Sequence, residues 1–321
     1  MSHQVVRTAV KSVIYDVIVI GSGPAGLTAA VYSGRALLKT LVVAGTVSGG
    51  QLMLTTEVEN FPGFEEPILG PDLIQRMTKQ AQRFGAQFVH EDATNVDFRT
   101  RPLRVKTASQ TYESNAVIIA TGASAKWLGL DSETRLRGKG VSSCATCDGF
   151  FFRGKETVTV GGGDVAIEDT VFLTKFVNHA TIVHRREELR ASKILQERAF
   201  KNPKISFVWD SVVEEILGEN KVEGARIRNV KTGKQNVLKC DGVFIAIGHQ
   251  PNTGIFEGQI ELDQKGYVVT SQGTATSVEG VFACGDVRDF KYRQAVTAAG
   301  EGCRAAMDAE NYLEEKSIHV H

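Results

Sequence analysis

Apolar residues fall into short, branched runs that end in glycine, and the same order of elements occurs twice. Tyr15 to Ile20 predicts a buried parallel strand. Gly21-Ser22-Gly23-Pro24-Ala25-Gly26 follows at once, and Leu27 to Ala36 predicts a helix. Thr40 to Val43 predicts the next strand. In the second half, Thr157 to Val160 predicts a strand, Gly161-Gly162-Gly163-Asp164-Val165-Ala166 the turn, and Ile167 to Phe176 a helix, with Ala180 to Val183 as the strand beyond. Ala116 to Ala123 and Gly242 to Gly248 read as buried strands closed by glycine turns, and are expected to be the two crossings between domains. Ser206 to Leu238 alternates apolar and polar residues, with turns at Gly218-Glu219-Asn220 and Thr232-Gly233-Lys234, and predicts an antiparallel meander.

G-x-G-x-x-G between a strand and a helix has a mechanical reading. The first glycine permits the tight turn, the second admits a pyrophosphate to the backbone, and the third lets helix and strand pack closely. The phosphates then rest on the orphan N–H groups of the helix. Either motif alone is a weak signal. Two, each correctly framed, imply two dinucleotides, most economically FAD and NAD(P). The expected fold class is α/β, with two Rossmann-like, three-layer dinucleotide-binding domains, the second inserted into the first. We place an FAD-binding domain at 1–125 and 251–321, and an NADPH-binding domain at 126–250.

An NAD site usually carries an acid at the end of its second strand, to hold the ribose hydroxyls. At that place in the second half stand His184-Arg185-Arg186, with Arg190 a turn later. Guanidinium forks suit a 2′-phosphate that a carboxylate would repel, which favours NADPH. The plainer reading is a solvated helix start made by Arg185, Arg186, Glu187 and Glu188. The first site also lacks the acid. Asp286, after the strand-end Gly285, is well placed for a ribityl or pyrophosphate group, against the plainer reading of a turn aspartate.

Charge and composition narrow the classes. In 321 residues, Lys plus Arg number 37 and Asp plus Glu 37, a balance that argues against a nucleic-acid binder or a membrane-surface protein. The longest apolar runs are far shorter than a membrane span. Met1 to Asp16 has no apolar core followed by a cleavage site, so no signal peptide is expected. Arg7 and Lys11 without acids leave a disordered leader as the expected reading. Five cysteines are too few for a secreted disulfide scaffold, and no second pair or spaced histidines accompany Cys144 and Cys147 as zinc ligands would require. His319 and His321 are expected in a frayed end.

Cys144-Ala145-Thr146-Cys147-Asp148 is therefore read as redox chemistry. Two thiols three positions apart at a helix start can close a small disulfide ring, and the helix N-terminus favours a thiolate. Asp148 is placed to move the proton that thiol–disulfide exchange releases or consumes. A structural cysteine pair is disfavoured by the small-residue setting Gly140 to Ser143.

The chain resembles the low-molecular-weight thioredoxin reductases from Tyr15 to about Tyr312. The most specific pieces are Cys-Ala-Thr-Cys-Asp-Gly-Phe-Phe (144–151), Gly-Gly-Gln-Leu (49–52) with Thr-Glu-Val-Glu-Asn-Phe-Pro-Gly (56–63), His-Arg-Arg-x-x-x-Arg-Ala-Ser (184–192), and Gly-Asp-Val (285–287) with Tyr-Arg-Gln-Ala (292–295). The resemblance implies a relay in which electrons pass from NADPH through FAD to a Cys144–Cys147 disulfide and on to thioredoxin, whose potential is about −270 mV. It implies that Cys147 lies against the flavin, that Cys144 exchanges with thioredoxin, and that Asp148 is the acid–base residue. Flavin contacts are implied at Gly21 to Gly26, Gly50, Gln51, Leu52, Asn60, Thr121, Gly122, Gly285, Asp286, Arg293, Gln294 and Ala295. NADPH contacts are implied at Gly161, Gly163, Asp164, Val165, His184, Arg185, Arg186 and Arg190. Phe150 and Phe151 resemble an apolar patch that docks thioredoxin, with Lys139 as a basic contact; the plainer reading makes both rings core. A cytoplasmic homodimer is expected, with hinges near 123–127 and 246–252. Val165 departs from the family, which usually has Ser or Thr there; the loss is modest because backbone N–H groups do most of the cradling. The alternative is a ferredoxin-linked or otherwise pyridine-nucleotide-independent thioredoxin reductase, expected to lack the arginine clamp. A non-catalytic flavoprotein sensor is disfavoured by the CxxC-Asp unit.

Overall fold

In the computed structural model, which describes residues 13–54 and 57–316, the chain divides into two units. One runs to Ala123 and resumes at Pro251; the other is Ser124–Gln250. Thr56, the leader containing Arg7 and Lys11, and His319 and His321 lie outside the described residues.

The first unit is built on strand Ile14–Ile20, whose Val17, Ile18 and Val19 are fully buried. It pairs in parallel with Thr40–Val43 on one side and with Thr111–Ile119 on the other, in register Val17↔Ala116 and Val19↔Ile118. Gln87–Val89 extends the sheet beyond Thr40–Val43. Thr111–Ile119 is shared: its first half pairs antiparallel with Leu103–Lys106, and its last three residues pair in parallel with Val281–Ala283 from the far end of the chain. Burial on both faces explains why these strands read as continuous apolar runs. Helix Pro24–Arg35 and the C-terminal helix Ala295–Glu315 cover one face through Ala25, Ala29, Ala305, Ala306 and Ala309. Such small residues allow close approach: a Cβ on Gly302 would stand 2.1 Å from the carbonyl oxygen of Ala25.

The second unit holds a five-stranded parallel sheet in the order Val141–Ser142, Gly242–Ile245, Glu156–Val160, His179–Val183, Ile205–Val208. Beside it lies an antiparallel sheet of Ser211–Leu217, Gly224–Asn229 and Gln235–Lys239. The expected meander thus begins at Ser211 rather than Ser206. Residues 206–208 belong to the parallel sheet, because Ile205–Val208 pairs with Ala180–Val183. Both helices after the glycine turns start earlier than the pattern predicts, at Pro24 and Asp164, inside the motifs themselves. The second also stops at Leu173, short of Phe176. The connections Ala123–Ala125 and His249–Pro251 pair as a two-stranded sheet. Among the described residues, no helix is long and apolar enough to cross a membrane.

Candidate active site

The first glycine turn is held from below and open above. Gly21 has φ +113°, and a Cβ there would lie 2.3 Å from the carbonyl oxygen of Ala120, so the turn tolerates no side chain. Buried Ser22 donates to the Ala44 carbonyl at 2.7 Å and accepts from the Gly49 N–H at 2.8 Å, tying the 44–50 loop to the turn. Gly23 caps the helix without a side-chain bond, Pro24 fills the first position, and the space where a Gly23 side chain would sit is empty to 4 Å. The amides of the first helical turn therefore face a cradle fit for a pyrophosphate. A Cβ on Gly50 would lie 3.5 Å from Gly23 Cα, so Gly50, which opens the 3₁₀ turn Gly50–Leu54 that also carries Gln51 and Leu52, borders that cradle.

The far end of the chain returns to the same turn. A Cβ on Gly285 would meet the Ala25 Cβ at 2.9 Å. Asn60 donates to the Gln294 side chain at 3.3 Å, and Gln294 caps the helix that Ala295 opens. Thr121 donates to the Asn252 carbonyl at 2.8 Å, with Gly122 beside it. Burial pushes the Asp286 carboxyl up to about 7, with Asp289 and Glu301 adding to the rise and Arg293 opposing it.

The second turn repeats the design. The helix Asp164–Leu173 is capped by Gly163 with no side-chain bond, and the space over Gly163 is likewise empty. Asp164 accepts the Ser192 N–H at 2.7 Å, and the Arg190 N–H donates to the Gly162 carbonyl at 2.7 Å, so the arginine loop is fastened to the glycine turn. His184 is buried with its ring against Gly162, where a Cβ would come within 2.3 Å of it. Burial lowers its pKa, leaving a neutral imidazole, and its Nε2 has no hydrogen-bond partner among the described residues. Residues 184–190 form no helix; helix Lys193–Phe200 starts later, so a solvated helix start is not what these arginines make. Arg185, Arg186 and Arg190 are exposed around one depression and form no ion pair among the described residues. The Glu187 and Asp210 carboxylates at that depression are both taken by Lys231, the latter at 3.1 Å.

Cys144 and Cys147 form a disulfide, with Cα atoms 5.3 Å apart. Cys144 caps the one-turn helix Ala145–Asp148, its Sγ accepting the Cys147 N–H at 3.2 Å. The Thr146 hydroxyl lies 3.4 Å from the same sulfur, and Ser142 fixes the Cys144 N–H at 3.0 Å. Cys147 is the more exposed of the two. Burial raises the Asp148 pKa, against a lowering hydrogen bond from Ser142. The other thiols are removed from this chemistry. Burial pushes Cys240 up to about 12 and raises Cys284 further, while Cys303 is half-buried on the C-terminal helix. Phe150 is exposed and Phe151 half-buried, so Phe150 is not core. Lys139 is exposed in the turn before Gly140 and makes no ring contact with either.

Residues 15–302 match the family model for pyridine nucleotide-disulphide oxidoreductases. A thioredoxin reductase of Rickettsia conorii is 56% identical over 302 residues, covering 92% of this chain and 97% of that protein. This chain is a thioredoxin reductase family member. A second relative, the thioredoxin reductase of Streptomyces coelicolor, is 54% identical over 94% of both chains. Among solved structures, the thioredoxin reductase of Streptococcus pyogenes superposes with a TM-score of 0.90 at 42% identity, covering 95% of this chain and all of that one. That of Giardia duodenalis gives the same TM-score and identity over 94% of this chain and 99% of that one. FAD and NADPH are the cofactors of the family, and both glycine cradles fit them.

Three positioning residues carry no motif and escape sequence reading. Glu301 accepts the Gly285 N–H at 2.8 Å and pairs with Arg288 at 3.1 Å, fixing the turn that bears Asp286. Asp289 accepts three successive backbone N–H groups, from Lys291, Tyr292 and Arg293, at 2.8, 3.0 and 3.3 Å. That cradle helps hold Arg293 at φ +47°. Buried Tyr267 hydrogen-bonds the Arg293 side chain.

Proposed function

We propose that the first unit holds FAD, that the second holds NADPH, and that the Cys144–Cys147 disulfide hands electrons from them to thioredoxin. The observation that carries this reading is a disulfide beside a partly buried carboxyl, in the unit that also bears an open glycine cradle and three guanidinium groups that form no ion pair among the described residues. FAD, when bound, supplies the two-electron carrier between a nicotinamide hydride and the disulfide. The chain's own residues do the rest.

In the disulfide the Cys147 N–H donates to Cys144 Sγ at 3.2 Å; kept on reduction, that bond favours a Cys144 thiolate and makes Cys144 the attacking sulfur. Its lone pair forms a bond to one sulfur of the partner disulfide and breaks the S–S bond, and the expelled partner thiolate takes a proton held by Asp148. Cys147 then attacks Cys144 Sγ, re-forming the internal disulfide and releasing the partner's second thiolate. Two electrons leave the pair and two enter the partner. Anaerobic titration with NADPH, followed by absorbance, tests the whole reading. Flavin should bleach, and oxidised thioredoxin should restore its colour. Flavin that ignores NADPH but accepts electrons from reduced ferredoxin would overturn it.

Two expected results follow from the geometry. Asp148→Asn lowers kcat on thioredoxin by about 10²-fold, the usual contribution of a positioned acid. The pH profile distinguishes this from a structural defect. Because burial raises the Asp148 value, wild-type turnover should hold through the ordinary aspartate range and fall only above it, and the variant should lack that limb. Arg185→Ala combined with Arg190→Ala should raise KM for NADPH by about 10²-fold, from loss of charge-assisted bonds. KM for NADH should stay where it is; an equal loss for both nucleotides would place the arginines elsewhere in the reaction. We also infer, on family resemblance, a homodimer working in the cytoplasm, which sedimentation of the purified protein and fractionation of cells would test.

A further inference from the structure

The depression around Arg185, Arg186 and Arg190 is also lined by Glu187, Glu188 and Asp210. Acids match arginines there, so the guanidinium groups alone leave no surplus of positive charge for a phosphate. The surplus comes from Lys231, whose ammonium reaches both Glu187 and Asp210, the latter at 3.1 Å. Hydrogen bonds to these two carboxylates push the lysine above its ordinary range and keep it charged. Lys231 stands in the turn between strands Gly224–Asn229 and Gln235–Lys239. The Asn229 side chain accepts the Lys231 N–H at 3.0 Å and the Thr232 N–H at 2.9 Å, which sets the turn. The Val230 N–H donates to the Asp210 carbonyl at 2.6 Å, and the Asp210 N–H to the Arg186 carbonyl at 3.2 Å. One hydrogen-bonded path therefore runs from the arginine loop through Asp210 to the turn, and fixes Lys231 at the depression. Exposed ion pairs contribute little to stability. With 56% of the Lys231 side chain and 72% of the Glu187 side chain exposed, the fold has little need of this arrangement.

We propose that Lys231 is a positioning residue for cofactor choice: it holds Glu187 and Asp210 away from the arginines, and so lets the depression take the 2′-phosphate that separates NADPH from NADH. The inference rests on the NADPH reading of the second unit and adds to the arginines a residue from a different segment, 44 positions beyond Glu187. Without Lys231, the two carboxylates would either turn to the guanidinium groups or face the phosphate, and both weaken its binding. A carboxylate near the end of the second strand is also what an NAD site uses to hold the ribose hydroxyls. The chain thus keeps acids of the kind an NAD site needs and masks them with one lysine.

The test uses the full-length flavin-loaded protein and two nucleotide fragments, adenosine 2′,5′-bisphosphate and adenosine 5′-monophosphate, with dissociation constants measured by calorimetry. Lys231→Met should weaken binding of the bisphosphate by about 10-fold at low salt, the size of one charge-assisted bond, with the gap closing as salt is added. Binding of the monophosphate should not weaken, and the ratio of KM for NADH to KM for NADPH should fall by the same factor. Lys231→Arg should keep the preference, since a guanidinium also serves two carboxylates. Adding Glu187→Gln and Asp210→Asn to Lys231→Met should restore the bisphosphate affinity, because no carboxylate remains to be held back. Lys234→Met, in the same turn and with the same change of net charge, should leave both fragments unaffected. An unaltered preference in Lys231→Met would overturn the role of Lys231 and leave the arginine site standing. A loss that the two amides do not repair would overturn it as well, by making the lysine a direct ligand. Equal weakening of both fragments would reduce Lys231 to a structural residue and end the proposal. A wild-type protein with no preference for the bisphosphate would overturn the NADPH reading, and this inference with it.

Discussion

Cys144→Ser abolishes reduction of thioredoxin, by more than about 10³-fold in kcat/KM, because a serine hydroxyl neither ionises near neutral pH nor forms a disulfide. Flavin should still bleach when NADPH is added, since no part of either glycine cradle is touched. The electrons then have no exit, and thioredoxin no longer restores the colour. Cys147→Ser should fail differently. Cys144 keeps its attacking position, with the residue-147 N–H still aimed at its sulfur, but nothing resolves the mixed disulfide. A covalent enzyme–thioredoxin adduct should accumulate and disappear on adding a reductant, as non-reducing electrophoresis would display. An adduct that forms with Cys144→Ser instead would exchange the roles of the two sulfurs.

Asp286→Asn has effects of opposite sign on two measurements. Burial holds the Asp286 carboxyl at about 7 in the folded protein, well above its unfolded value of roughly 3.9. A group raised in this way contributes fully below the unfolded value, and its contribution is lost as pH rises through the folded one. Across that window the loss amounts to about 4 kcal/mol. Asparagine does not titrate. In denaturant titrations of the flavin-free protein, the variant should therefore be more stable than wild type at pH 8, and the difference should shrink steadily toward pH 4. A difference that ignores pH would refute the assignment. Flavin affinity should move the other way, falling by about 10- to 10²-fold if the carboxylate accepts a charge-assisted bond from the bound group. The protein thus keeps a group that costs it stability at neutral pH, as binding sites commonly do.

Much of this site is visible before folding because its chemistry is local. Gly21 to Gly26, Gly161 to Ala166 and Cys144 to Asp148 each fall within one turn of chain, so their motif and their local geometry coincide. The inserted arrangement is equally plain, since two glycine turns bracket the second set of elements. What escapes is what depends on approach from afar. Ser206 alternates with Ile205 and Phe207 in the same period whether its neighbour runs parallel or antiparallel, and only pairing with Thr181 decides. Glu301 sits in an unbroken helix, and nothing nearby announces that its carboxylate meets the Gly285 amide. Phe176 reads as helix periodicity, yet Thr174 ends the helix and lets the ring swing beside Phe150. The arginines at 185, 186 and 190 are legible as a cluster, but not that Glu187 and Asp210 beside them are taken up by Lys231, which arrives from the turn after strand Gly224–Asn229.

The route of the chain has a consequence for synthesis. The first unit needs strand Val281–Ala283 beside Thr111–Ile119, and the helix Ala295–Glu315 against the Ala25 carbonyl, where Gly302 leaves no room for any side chain. Both pieces leave the ribosome after all of Ser124–Gln250. The inserted unit can fold while translation continues, because domains generally fold as units as they emerge. The outer unit must wait, with its Val117–Ile119 edge unpaired and one sheet face uncovered, until Val281–Ala283 and the helix Ala295–Glu315 have been made. Premature termination between Gln250 and Val281 would therefore release a chain with one finished half and one that cannot close, a substrate for chaperones and proteases rather than a weakened enzyme.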